Sequence, residues 1–434
     1  MSSDKPNVTS LAAAEVNALQ PLRQVMFRSL HYRDFAVFWT GNFLSNIGSW
    51  MQTIALGWLI LVLTNSPFLL GLNGFLSQAP ILIFALPGGA IADRLNRRKL
   101  MLLTQTSMML LALLLAIFTS VGHVKIGEIL AISLLTGIAS ALNYPAYQAL
   151  IPDLVGRDDL LNAIALNSAQ FNMSRAIGPM LAGLTLGTLG AAACFYLNTL
   201  SFLALIIALL MISIPPLPKQ QGPGFWSSML DGFRYVNQHR LLIILLTVPA
   251  FMSLLGLPFI VLMPVFARNL LQVGASGLGT LMAGAGLGAV IAALVIAARG
   301  TPERRGAYIL SCGSIFSLAL ILFARAHTFW WAFFLLVIMG GMMVGTLTLT
   351  NTTLQMTTPP QLRGRIMGIF YMAMTGLLPI GSLQAGAVAE VLGARFALAF
   401  GGMVCLIYFV TVLVLLPRLR KEGRLPQPEE VSGK

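Results

Sequence analysis

Twelve apolar runs, each long enough to cross a bilayer as a helix, recur along this chain and leave little else for it to fold into. With no water in the hydrocarbon core, every backbone N–H and C=O of a spanning segment must be bonded within the protein, which confines such runs to helices. Their expected bounds are 36–61, 68–90, 100–120, 127–149, 163–188, 191–213, 242–265, 276–298, 307–324, 329–352, 366–389 and 396–416, taken as helices 1 to 12. Only 9% of the residues are charged, against about 25% in an ordinary soluble domain, so the chain cannot coat a water-exposed globule and a soluble enzyme is excluded. The first run has no small-residue cleavage site behind it and reads as a retained helix, not a removable signal.

The placement of the cations gives an orientation. Of the 27 Lys and Arg, 22 fall on the side that receives both tails, four (Lys125, Arg268, Arg325, Arg395) fall on the other, and Arg175 lies inside a span. Basic residues are retained in cytoplasmic loops, so both termini are expected in the cytoplasm of a bacterial plasma or inner membrane. The same rule accounts for the net charge of +13 without a nucleic-acid partner. Cys194, Cys312 and Cys405 sit far apart in apolar runs and read as core residues, and the four histidines adjoin polar connectors, so no metal site or cofactor is expected.

The run Pro215-Pro216-Leu217-Pro218-Lys219-Gln220-Gln221-Gly222-Pro223-Gly224 cannot continue a helix and divides the spans six and six. The expected organisation is a tail (1–33), a six-helix bundle (34–214), a central loop with an amphipathic helix (215–240), a second bundle (241–416) and a tail (417–434). Within that loop, Trp226, Met229, Leu230, Phe233 and Val236 recur at helical spacing, as in a helix lying on a membrane surface. The halves echo one another: Ile177-Gly178-Pro179-Met180-Leu181-Ala182-Gly183 aligns with Ile380-Gly381-Ser382-Leu383-Gln384-Ala385-Gly386. Internal repeats of this kind place a binding site between two halves near the midplane, reached alternately from each side.

The loop after helix 2 carries Gly89, Asp93, Arg94, Arg97, Arg98 and Lys99, a close-packing glycine followed by an acid and a basic cluster at the membrane edge. This run resembles the loop signature of the major facilitator superfamily, with Asn96 where that signature has a second glycine. Gly178-Pro179 with Ala182-Gly183 resembles the helix 5 signature of its antiporter and exporter branches. A Gly-Pro pair opens the helical ladder, which serves either packing or coupling. Ser45–Gln52, Leu63–Pro67 and Leu362–Arg365 are similar to the enterobactin-exporter-like and drug-exporter-like branch, and the resemblance covers residues 30–416. It implies an all-α polytopic fold of twelve transmembrane helices in two pseudo-symmetric six-helix bundles.

Polar side chains inside the spans mark a candidate cavity. Asn42, Asn46, Ser49 and Thr53 share one face of helix 1, with Gln52 beside them, and Asn143 and Tyr147 belong to a similar stripe on helix 4. An amide facing lipid costs a few kcal/mol, so these faces should look inward, either onto a wet path or onto neighbouring helices. Gln170, Tyr371 and Thr375 join the set, and Thr346 and Thr350 add a weaker stripe on helix 10. Arg175 costs about 2.5–3.5 kcal/mol on insertion and needs a partner or water. It reads either as an anion contact or coupling group, or as a structural tie to carbonyls freed near Pro179. The relatives implied by the resemblance often carry an acid in helix 1 near the position of Ser49, and this chain has none there. Asp34 and Glu390 remain as proton-site candidates, each with interfacial solvation as its alternative reading.

These features imply a secondary exporter of small amphipathic molecules, drug-like compounds or siderophores, working by alternating access and by proton antiport where the resemblance is followed. No phosphate-binding Gly-Lys-Ser/Thr loop is present for ATP drive. The expected partners are a small-molecule substrate and the lipid bilayer, with the monomer as functional unit. An uptake carrier of the same fold and an intramembrane lipid-modifying enzyme are the competing readings. The second would need carboxylates or histidines inside the spans, which are missing.

Overall fold

The computed structural model describes residues 27–94, 96–213, 225–299, 302 and 304–415. The first 26 residues, the whole proline-rich divide and the C-terminal tail expected at 417–434 lie outside that set. So do the side chains of Gly89, Asp93 and Arg94.

Twelve long helices alternate in direction: α1 (Arg33–Thr64), α2 (Pro67–Arg94), α3 (Arg97–Ser120), α4 (Ile126–Leu154), α5 (Leu160–Thr188), α6 (Gly190–Met211), α7 (Arg240–Leu270), α8 (Gly274–Arg299), α9 (Arg305–Ala324), α10 (Phe329–Thr357), α11 (Pro360–Leu392) and α12 (Ala394–Leu415). Eleven are long and apolar enough to cross a membrane; the twelfth, α5, is as long but is diluted by Asn162, Asn167, Gln170, Asn172 and Arg175. Several helices overrun their expected bounds, because the helix continues past the apolar stretch into polar caps. Asn96 caps α3, its Oδ1 accepting from the Lys99 N–H at 3.2 Å. Asn65 ends α1 in the left-handed region at φ 52°.

Two helices of the second half are not regular. α7 contains π-type turns at Met252–Gly256 and Phe266–Leu270, and α11 one at Met372–Gly376. These breaks fall beside Pro258, Pro264 and Pro379, which withdraw donors from the ladder. α5 by contrast runs unbroken through Pro179. The central segment forms the helix Phe225–Gln238, which packs on the start of α11: Val236 is buried, and a Cβ on Gly232 would lie 3.2 Å from the Arg365 Cβ.

Helices α1 to α6 pack as one bundle and α7 to α12 as another, and the halves meet mainly along α5 with α8 and α2 with α11. The aligned repeats sit at these seams in equivalent roles. A Cβ on Gly178 would lie 2.5 Å from the Trp50 Cβ of α1, and one on Gly381 would lie 2.5 Å from the Ser253 carbonyl of α7. A Cβ on Gly183 would lie 2.6 Å from the Gly279 Cα of α8, and one on Gly386 would lie 2.8 Å from the Gly71 Cα of α2. In each half the first glycine admits the first helix of its own bundle, and the second admits the facing bundle. Lipid offers no hydrophobic drive between helices, so such close backbone approach is what lets dispersion hold the seam.

Candidate functional site

The basic end of the first half is tied down by its own charges. Arg97 donates to Asp153 Oδ2 at 2.6 Å and to the Ala149 carbonyl at 3.2 Å, clamping α3 to α4. Arg98 reaches the Leu210 carbonyl at the end of α6 (2.6 Å), and Lys99 is exposed. Asp34 accepts from the Ser213 N–H at 3.1 Å, which caps the start of α1 against the end of α6. Arg28 and Tyr32 both engage Asp159, and the hydrogen bond to that carboxylate holds the Tyr32 hydroxyl above the ordinary phenol range.

The stripe on α1 divides between two tasks. Asn42 is buried and donates to Tyr147 of α4 and to Gln170 of α5, both at 3.2 Å, while Tyr147 also donates to Asn167. Gln52 turns to α6, its Oε1 accepting from Asn198 at 2.7 Å, and Asn143 accepts from Thr104 of α3 at 2.9 Å. These four side chains bond neighbouring helices of the first half. Ser49 and Thr53 return their hydroxyls to carbonyls one turn back, and Asn46 is half-buried with no partner among the described residues. Fully buried Gln170 keeps its Nε2 without a partner among the described residues.

Toward the basic face several polar and aromatic side chains of both halves are exposed. Tyr144 of α4 is 52% exposed, Phe171 of α5 48% and Tyr371 of α11 43%. Exposed Gln148 donates to Tyr144 at 2.9 Å. An amide and phenols within spans are costly against lipid, so these side chains fit the lining of a water-filled path. Thr375 lies one turn further along α11 and bonds back to the Tyr371 carbonyl.

The opposite face is sealed between the halves. Glu390 of α11 accepts from the Ser66 hydroxyl (2.8 Å) and the Phe68 N–H (3.0 Å) at the start of α2, where the positive end of that helix dipole also favours a carboxylate. Arg268 of α7 donates to the Leu61 carbonyl at 2.5 Å, and Asn269 donates to Asn65 at 3.1 Å. Ser276 of α8 adds a bond to the Gly183 carbonyl at 3.3 Å. The partners are separated by up to 324 residues. In the sequence, Arg268 stood out only as one of four cations on the sparsely charged side.

Arg175 lies midway along α5 and is half-buried. Its guanidinium lies 5.8 Å from the centre of the Trp50 ring of α1 and 3.4 Å from the Met343 sulfur of α10 in the other half. Phe171, one turn away on the same helix, meets the Trp50 ring edge-on. The bond to carbonyls near Pro179 that a structural tie requires is not formed. Neither Trp50 nor Met343 was singled out in the sequence, where each is one more apolar residue in an apolar run.

Among the described residues no group of His, Cys, Asp or Glu could hold a metal ion. The chain matches the model of the family described as transmembrane secretion effector over residues 17–429. It belongs to that family. The family is a branch of the major facilitator superfamily, so this member is a multi-pass membrane transporter and not an enzyme. It is 26% identical over 367 residues to the staphyloferrin A transporter of Staphylococcus aureus, covering 82% of this chain and 89% of that one. It is 27% identical over 405 residues to the enterobactin exporter EntS of Escherichia coli O6:K15:H31, covering 92% and 95%. Its fold resembles that of a bacterial homologue of the human lysosomal transporter Spinster in an inward-facing, unoccupied conformation (TM-score 0.71, 16% identity, 94% of this chain and 99% of that one). The nucleoside transporter NupG shares it too (TM-score 0.64, 14% identity, 91% and 100%).

Proposed function

We propose that this transporter exports a siderophore-like or drug-like amphipathic molecule by alternating access, working as a monomer with both termini in the cytoplasm. The observation that carries the reading is the asymmetry of the two ends. Tyr144, Phe171 and Tyr371 lie exposed toward the basic face, as the lining of a wet cleft open to that side would be, while Glu390, Arg268 and Asn269 bond the halves together at the other. With the basic face cytoplasmic, that is the loading state of an exporter. The names of the curated relatives, a staphyloferrin A transporter and an enterobactin exporter, support the siderophore class.

The basic loop and the helix 5 pair then act as moving parts. Gly89, Asp93, Arg94, Arg97, Arg98 and Lys99 form the cytoplasmic gate, and Gly178, Pro179 and Gly183 let α5 slide against α1 and α8. Proton coupling runs through Glu390 rather than Asp34, because Glu390 alone of the two bonds across the halves. Protonating its carboxylate weakens both bonds that it accepts and releases the outer closure.

Efflux from cells tests this. Cells overproducing the protein should release a preloaded siderophore or dye faster than control cells, and collapsing the proton gradient should remove the difference. Equal release with and without the protein contradicts the reading; release that survives loss of the gradient removes the proton step alone. Asp93→Asn, inserted at normal levels, should lose the efflux, and unchanged efflux removes the gate assignment.

A further inference from the structure

We infer that Arg175 is the anchor for an anionic group of the substrate, so that the cargo is an organic anion, a carboxylate or phenolate on an apolar body. This rests on the transport reading and adds the charge of what is carried. A guanidinium has five N–H donors and stays charged under all conditions relevant here. In this structure one of them points at a thioether sulfur, a weak acceptor, and an indole face takes part of the charge. Among the described residues Arg175 forms no ion pair. None of its nitrogens is at once fully buried and unbonded, so those without a partner among the described residues keep some exposure and are reachable by a ligand.

The surroundings make that vacancy selective. Every acid of the chain lies in a connector, a tail or a span edge, so nothing within the bilayer compensates this cation. An uncompensated charge at reduced dielectric attracts an anion far more strongly than it would in water and repels a cation equally. Trp50, Phe171 and Met343 supply an apolar wall beside the charge, which fits a ligand whose anionic group is attached to a flat or greasy body. The position also suits a transported ligand. Arg175 belongs to one half and Met343 to the other, so an anion held here touches both bodies that must move.

The test uses the full chain in lipid nanodiscs and three matched probes of one shape: naphthoate, naphthamide and naphthylmethylammonium. The wild type should bind naphthoate at least about tenfold more tightly than naphthamide, the size of one charge-assisted hydrogen bond, and the cation least. Arg175→Met should erase the preference, with a single monodisperse peak in detergent showing that the variant is folded; Arg175→Lys should keep the order. A purely structural arginine would not set an order by ligand charge. The inference is overturned if the neutral or cationic probe binds the wild type as tightly as naphthoate, if the preference survives Arg175→Met, or if no probe binds. Flux in liposomes separates the two readings. Equal flux of naphthoate and naphthamide upholds transport and overturns the anion anchor, whereas charge-selective binding with no flux of any probe does the reverse.

Discussion

Gly183→Leu should abolish transport. The missing Cβ at this position faces backbone, the Gly279 Cα at 2.6 Å, and backbone cannot rotate aside as a flexible side chain can. A leucine there forces α5 and α8 apart over several residues on each side. Overpacking of a close helix seam costs about 1–3 kcal/mol in stability, so a reduced but measurable amount of protein should still reach the membrane. Its transport rate should fall more than about tenfold, since a seam that carries the relative motion of the halves has been wedged. Gly279→Leu should do the same from the other side. Gly127→Leu, at a glycine with nothing within 4 Å of the added carbon, should leave the rate unchanged. Measured flux per inserted molecule decides it: wild-type flux in Gly183→Leu would remove the seam from the moving parts.

Loss of the outer closure should shift the resting conformation. Glu390→Ala removes the acceptor for the Ser66 hydroxyl and the Phe68 N–H, and Arg268→Ala leaves the Leu61 carbonyl without its donor. Both groups face the membrane surface, where water replaces part of what is lost, so the two changes together should move the open-to-closed ratio at that face by about tenfold. Spin labels on His123→Cys and Thr328→Cys, with the three native cysteines replaced by serine, report the gap between the halves on that side. The double variant should add population at longer distance. Identical distributions in wild type and double variant would mean that these bonds accompany closure without holding it.

Much of the architecture was legible because the membrane leaves few choices. Run length gave the twelve helices, including α5, whose polar residues bring it below the hydropathy of the other eleven. The glycine repeat was visible as an alignment, but not what each glycine faces. Gly178 and Gly183 are five residues apart and admit helices of different halves, a distinction set by the rotation of α5 between its neighbours. From the α1 stripe, Asn42 and Gln52 do bond inside the first half, while Thr53 is exposed. That division was not legible, because Gln52 is claimed by Asn198, 146 residues away, and Asn42 by Gln170. The irregular turns of α7 and α11 left only proline as a trace, and Pro179 shows that proline alone does not enforce one. Arg175 announced itself by its cost, and the two partners that leave its charge unanswered belong to two other helices, α1 and α10.

Membrane vesicles of known sidedness test the transport account most directly. With labelled siderophore outside and a proton gradient imposed, everted vesicles from cells making the protein should accumulate the label above its external concentration, and right-side-out vesicles should not. Accumulation only in right-side-out vesicles, or equal accumulation in vesicles lacking the protein, would contradict it.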